Sequence, residues 1–160
     1  MTVGVIADTH GVLLPEALEA LRGSELIVHA GDVGSLAILR RLEEVAPVLA
    51  VYGNNDDRPV RDACPPERLV TAGGIAIGVI HGDRWPPARR LTALAGHFAD
   101  RGARVIVYGH THRALVQELN GVMIFNPGAA GKRTFGNKLS VGRLTISGGT
   151  VEAAVIPIEP

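Results

Sequence analysis

Thr2-Val3-Gly4-Val5-Ile6-Ala7-Asp8-Thr9-His10-Gly11 begins as a run of small and β-branched apolar residues without a charge, the composition of a strand buried on both faces, and it breaks at Asp8. Side chains alternate along an extended backbone, so Asp8 and His10 are expected to point the same way as the strand leaves its sheet. A hard oxygen and an imidazole then converge on one point, as a divalent metal requires.

Outward from this stretch the same grammar repeats. Leu14 to Arg22 places Leu14, Leu18 and Leu21 at helical spacing, with Pro15 in the first turn and Gly23 as a stop. Glu25 to Ala30 is a second buried strand and runs into Gly31-Asp32; Ser35 to Ala46 is a helix; Val48 to Tyr52 is a third strand and empties into Gly53-Asn54-Asn55-Asp56-Asp57. Strand, helix, strand, helix, strand with short links predicts three parallel strands whose loops emerge at one sheet edge, where ligands gather in such folds. From Arg58 the pattern loosens through Pro59, Pro65 and Pro66, a connection crossing to a second sheet. Glu67 to Thr71 and Ile75 to Ile80 form a hairpin ending in His81-Gly82-Asp83. Pro87 to Arg101 is a third helix, and Arg104 to Tyr108 a strand ending in Gly109-His110-Thr111-His112. Asn120-Gly121 joins Ala114–Leu119 to Val122–Phe125, Asn126-Pro127-Gly128 is a turn, and 139–147 with 150–158 make a last antiparallel pair.

The 160 residues suit one domain spanning the whole chain, and 46% hydrophobic content with a mean hydropathy of +0.21 argues against disorder. Sixteen basic residues balance sixteen acidic ones, so no global charge points to nucleic acid or an anionic membrane. Cys64 alone forms no internal disulfide, and neither a leader nor an apolar run near eighteen residues is present. A soluble protein of the reducing cytoplasm is expected. Exposed β edges make a homodimer an open expectation.

Asp8, His10, Asp32, Asn54, His81, His110 and His112 all lie at strand exits, and each is a competent ligand for a hard or borderline divalent ion. Seven exceeds the need of one ion. Two ions with a bridging carboxylate explain the surplus, and Asp32, from the second of three parallel strands, is the natural bridge. Such a pair clamps a phosphoryl group and holds a hydroxide between its members.

Asp8-x-His10, Gly31-Asp32, Gly53-Asn54-x-Asp56, His81-Gly82 and Gly109-His110-x-His112, in this order, resemble the calcineurin-like metallophosphoesterase superfamily, and the Asn-Pro-Gly turn and short length are similar to its small bacterial and archaeal phosphodiesterase branch. The resemblance implies an α/β fold, a four-layer αββα sandwich of two mixed β-sheets face to face flanked by helices. It implies that Asp8, His10 and His112 hold one metal with Asp32, and that Asn54, His81 and His110 hold the other with Asp32. The implied ions are two divalent cations, manganese first, with iron, nickel or zinc as other occupants. The implied activity is hydrolysis of a small phosphate ester, foremost a phosphodiester, by a metal-bridging hydroxide attacking in line. Asp32, Asn54, Asn55 and His81 form the expected catalytic set. Asn55 departs from the family pattern, where a His after the metal-binding Asn protonates the leaving oxygen; Asn cannot titrate, so acidic leaving groups or solvent protonation are expected. Asp83 and Ala129 are lesser departures, standing where this branch often has His and Ser.

Outside these motifs, His29 reads as a packed histidine beside the ligands and His97 as structural. Trp85 either lines the mouth of the site or forms a hydrophobic lid, and Lys132-Arg133 reads as a solvated basic pair. The rival readings are a non-catalytic protein-binding scaffold, as in the retromer subunit that keeps this fold, and a nucleotidase or phosphomonoesterase. A nuclease would need a basic stripe or extra domains that this sequence does not show.

Overall fold

The computed structural model describes residues 1–134 and 136–160. One sheet has the order β10-β9-β1-β2-β3, built from β1 (Thr2–Ile6), β2 (Leu26–His29), β3 (Val48–Ala50), β9 (Leu139–Ser147) and β10 (Thr150–Ile158). Here β1, β2 and β3 are parallel, and β9 joins β1 antiparallel with Val3 opposite Leu144. The second sheet has the order β4-β5-β6-β8-β7, from β4 (Glu67–Ala72), β5 (Ile75–Ile80), β6 (Val105–Val107), β7 (Leu115–Leu119) and β8 (Val122–Asn126). It too has three parallel members, β5, β6 and β8, with antiparallel hairpin partners outside them.

Alternation along the strands sorts their residues into layers. Val3, Val5, Ala7, Leu26, Val28 and Ala30 turn toward Ile77, Val79, Val105, Val107 and Phe125, and this inter-sheet layer is one continuous apolar core. Ile6 and Ile27 turn the other way, against α1 (Pro15–Ala20) and α2 (Leu36–Glu43) through Ala17, Leu21, Ile38 and Leu42. Ile80, Ile106 and Ile124 pack on the opposite outer face against Leu94 and Phe98, from α4 (Arg90–His97) and its end. The order is therefore helix, sheet, sheet, helix, as expected.

Two elements differ from the sequence-based expectation. Residues 58–63, expected as irregular connection, form α3 (Arg58–Ala63), with Pro59 in the first turn and the Asp57 carboxylate accepting from the Val60 amide at 3.5 Å. Three prolines in nine residues hide a one-and-a-half-turn helix because a first-turn proline loses no intrahelical bond. The helix expected over Pro87–Arg101 is shorter, occupying Arg90–His97 and followed by a 3-10 turn, Ala99–Arg101, that closes on left-handed Gly102. No helix of the described residues is long and apolar enough to cross a membrane.

The parallel strands of both sheets discharge toward one edge: Asp8, Asp32 and Asn54 follow β1, β2 and β3, while His81, His110 and Asn126 follow or end β5, β6 and β8. Six strand ends from two stacked sheets thus face one another across the sandwich.

Candidate metal centre

Among the described residues, six non-glycine residues have positive φ, and five of them are Asp8 (54°), His10 (47°), Asp32 (52°), His110 (67°) and His112 (56°). Left-handed backbone costs an L-residue about 1–2 kcal/mol, so its concentration here marks a site where the surrounding structure holds the chain against its preference. The alternation expected from an extended backbone is not what brings Asp8 and His10 together. The strand ends at Ile6, and two left-handed residues flank Thr9, whose side chain turns inward and is fully buried. The loops after β1 and β2 continue their parallel ladder, Asp8 N donating to Gly31 O at 3.0 Å, His10 N to Asp32 O at 2.9 Å and Gly11 N to Val33 O at 2.9 Å. The two acid-bearing loops are thereby fixed in register with each other.

Asp8 and Asp32 are 0% and 1% exposed. Asp8 Oδ1 lies 3.4 Å from His112 Nε2 and 3.9 Å from both His10 Nε2 and His81 Nε2. Asp32 Oδ2 lies 3.3 Å from His81 Nε2 and 3.7 Å from His10 Nε2. The donors fall into two groups, Asp8 with His10 and His112, and Asp8 with Asp32 and His81, each compact enough to surround one ion. Asn54 and His110 meet beside the second group, Asn54 Oδ1 standing 3.2 Å from His110 Nδ1, and the His110 ring packs edge-on against His81 with centroids 5.3 Å apart. All seven candidates converge. Asp8, as well as Asp32, occupies the middle of the arrangement.

His81 shows what this donor set fits. Its Nδ1–H donates to Ala30 O at 2.8 Å, so in the neutral ring Nε2 carries a lone pair; that atom is buried, makes no hydrogen bond and faces two carboxylates. A lone pair opposed to two buried anions is unfavourable unless a cation stands between them. Among the described residues the ion pairs of Asp8 and Asp32 are all to imidazoles. Neutral nitrogen and anionic oxygen donors without a Lys or Arg counter-ion make up the ligand chemistry of a divalent metal.

In the metal-free protein a proton on His81 takes the place of that cation. Burial opposes charge on His81, but Asp32 and Asp8 outweigh it and raise its pKa to about 9. Burial likewise opposes ionisation of Asp32, yet His81 and two N–H donors of Asn55 hold it well below the usual carboxylate range. Contact with Asp8 raises His112 despite burial, whereas burial, His81 and Arg90 lower His110.

The family model for the calcineurin-like phosphoesterase superfamily domain matches residues 1–149. The chain belongs to this superfamily. A probable metallophosphoesterase of Methanothermobacter thermautotrophicus is 40% identical over 136 residues, covering 81% of this chain and 77% of that protein. A phosphodiesterase of Methanocaldococcus jannaschii is 27% identical over 144 residues, covering 80% and 83%. Among solved structures, Vps29 of Entamoeba histolytica superposes with a TM-score of 0.80 at 22% identity, covering 99% of this chain and 100% of that one. That likeness shows the fold. The superfamily is one of hydrolases acting on phosphate esters, and the donor set above is suited to its divalent metals.

Several residues of this phosphoesterase support the centre without belonging to it. Asn55, one of the expected catalytic set, holds Asp32: its backbone N–H donates to Oδ1 at 2.9 Å and its Nδ2 to Oδ2 at 2.8 Å. Asp56, given no role by the sequence, is buried and accepts from Val33 N, Gly34 N and Gly53 N at 3.1, 2.7 and 2.9 Å, stapling the loop after β3 to the loop after β2. Asn126 donates through Nδ2 to Gly109 O (2.8 Å) and Thr111 Oγ1 (3.1 Å) while Oδ1 accepts from Gly128 N, bracing the loop that carries His110 and His112. It achieves this with Ala129 where the family often has Ser. Its signal in the sequence was the Asn-Pro-Gly turn, whose first residue combined a side-chain acceptor with two amide donors.

His29 is packed, as expected: Nδ1 accepts from Gly31 N at 3.2 Å, which makes Nε2 the donor to Thr9 Oγ1 at 3.0 Å, and Thr9 in turn donates to Val33 O at 2.8 Å. His97 bonds Glu67 at 2.6 Å and stacks edge-on with Trp85, which packs against the α4 layer. Lys132 and Arg133 are exposed.

Proposed function

We propose that this phosphoesterase hydrolyses phosphodiesters at a dinuclear centre held by Asp8, His10, His112 and Asp32 on one side and Asn54, His81, His110 and Asp32 on the other, with the 160 residues acting as one domain. The observation that carries the proposal is the buried, unbonded His81 Nε2 facing Asp8 and Asp32. The name of the M. jannaschii relative supports the choice of diester over monoester. Two divalent ions bound there, manganese foremost, supply Lewis acidity to phosphoryl oxygens and make a water acidic enough to attack near neutral pH.

The chain's own residues set the geometry. Asp8 and Asp32 bring two negative charges against the ions' four, so the centre stays net positive and attracts a phosphate monoanion. Asn54 contributes a neutral amide oxygen and does not quench that charge. Asn55 keeps Asp32 turned inward with both oxygens hydrogen-bonded, and Asp8 accepts the His110 amide at 3.0 Å, so its carboxylate and the 110–112 loop move as one unit. No titratable group occupies position 55, so solvent protonates the departing oxygen.

Chelation, followed by re-addition of single metals and assay of a chromogenic phosphodiester and its monoester counterpart, tests this directly. Turnover should return with manganese and favour the diester. Two bound equivalents with no turnover on either ester would transfer the chain to the binding-scaffold reading, and a monoester preference would make it a phosphomonoesterase or nucleotidase.

A further inference from the structure

Beside Asn54 lies a recess of about 200 Å³ whose walls include Tyr52, Asn54, Arg61, Asp83 and Arg84. Arg61 is held unusually firmly for an exposed arginine. Its Nε donates to Asp56 O at 2.7 Å, its Nη2 to Asn54 O at 3.2 Å and Gly53 O at 3.4 Å, and its guanidinium lies 4.7 Å from the Tyr52 ring centroid. None of those partners neutralises it, and among the described residues it makes no ion pair with a carboxylate. The nearby acids are committed elsewhere: Asp56 to three backbone amides, Asp57 to Val60 N, and Asp62 to Arg58 at 3.5 Å. Arg84, on the facing wall, is half exposed, rests over Trp85 at 5.3 Å and reaches Glu67 only at 3.8 Å. Asp83 is the one carboxylate on the recess wall, facing two guanidinium groups, while Glu67 lies outside the wall and is shared by Arg84 with His97 and Arg101.

A pre-positioned, uncompensated guanidinium costs little further ordering when it binds an oxyanion, which its planar donor fork matches. The geometry points to this recess as a subsite for a second anionic group of the substrate, a carboxylate or phosphate carried on an arm a few bonds from the scissile phosphorus. Its volume accommodates such a group with a short linker, and the guanidinium groups on its walls favour an anion. The inference rests on the phosphodiesterase reading for its orientation, since Asn54 forms both a wall of the recess and part of the proposed centre. The preferred substrate is therefore a diester with at least two negative charges, one outside the phosphodiester.

Two aryl esters with one leaving group and the same three-carbon arm, with and without a terminal carboxylate, isolate the effect: p-nitrophenyl 2-carboxyethyl phosphate and p-nitrophenyl propyl phosphate. In each, water adds to phosphorus and releases a proton to solvent, the bond to the aryl oxygen breaks, and p-nitrophenolate leaves with the electron pair. With manganese-reconstituted protein, kcat/KM should favour the carboxylate ester about tenfold, the effect of one charge-assisted contact, with the difference in KM. Calorimetric titration of the products, 2-carboxyethyl phosphate and propyl phosphate, should show the same ratio without turnover. Arg84→Gln and Arg61→Gln should each bring that ratio toward one, whereas Arg41→Gln, on the far helix, should preserve it. Equal affinities for the two products, or a ratio that survives both recess substitutions, overturns the subsite. If neither ester is hydrolysed yet the product ratio holds and responds to Arg84→Gln, the subsite stands and the phosphodiesterase reading fails. Turnover of both esters without preference does the opposite, overturning the subsite and leaving the phosphodiesterase reading in place.

Discussion

Asn55 illustrates how much one residue can mean beyond its identity. In the sequence it is the absence of an acid; in the fold it is the group that orients Asp32. The absent acid predicts that the rate on aryl phosphodiesters will fall steeply as leaving-group pKa rises, because with Asn at position 55 the departing oxygen carries its charge until solvent protonates it; a flat dependence would remove that account. The Asp32 contact predicts something separate. Asn55→Ala removes the side-chain bond to Oδ2, and metal affinity should drop about 10–100-fold, the usual effect of deleting a group that orients a ligand. Gly53→Ala should do likewise for a steric reason, since a Cβ at residue 53 would stand 2.2 Å from Asp32 Oδ1. Equilibrium dialysis with manganese measures both, and undiminished affinity in either variant would detach Asp32's orientation from that residue. The role of Asn55 could not be read from sequence because it depends on how the loop after β3 folds back on the loop after β2, a contact across 23 residues.

At the level of elements, the positions of the strand exits were legible while their conformations were not. Runs such as Leu26-Ile-Val-His29 and the hairpin at 139–158 announce themselves through β-branched content and Gly-Gly or Asn-Gly turns. Left-handed backbone at Asp8, His10, Asp32, His110 and His112 is invisible to such patterns, since these residues adopt it only when neighbouring loops compel them. His29 and Thr9 are part of that compulsion, tying the two acid-bearing loops from beneath. Burial, and then His81, lower the His29 pKa to about 3, against 6.5 in an unfolded chain. Unfolding therefore takes up a proton between those values, so its contribution to stability is complete above pH 6.5 and is lost as pH falls toward 3. His81 has the opposite sign: raised to about 9, it stabilises metal-free protein fully below pH 6.5 and loses that contribution as pH rises through 9. Urea midpoints of chelated protein should accordingly fall on both sides of pH 6.5. His29→Gln should flatten the acid limb alone, and an acid limb of unchanged slope in that variant would assign it to other groups.

For the whole molecule, the question is how a sandwich with zero net charge tolerates three buried carboxylates, Asp8, Asp32 and Asp56, and five left-handed residues at one edge. Each sheet is stable on ordinary grounds, with apolar layers on both faces, and the unfavourable features are gathered where six loops meet. Cations shared among those loops would bind the native arrangement and not the unfolded chain, so metal occupancy should appear as global stability. At a free concentration a thousandfold above the dissociation constant, one site contributes about 4 kcal/mol, and for a chain of this size each kcal/mol moves the midpoint about 2–4 °C. Manganese-loaded protein should therefore melt at least about 8–16 °C above chelated protein in scanning calorimetry. Asp32→Ala, which removes the carboxylate common to both proposed ions, should abolish most of that difference, while Asp8→Ala should keep the part due to the ion at Asn54, His81 and His110. A loaded midpoint equal to the chelated one would mean that the edge is stabilised by protons alone, with His81 as the cation its two carboxylates require.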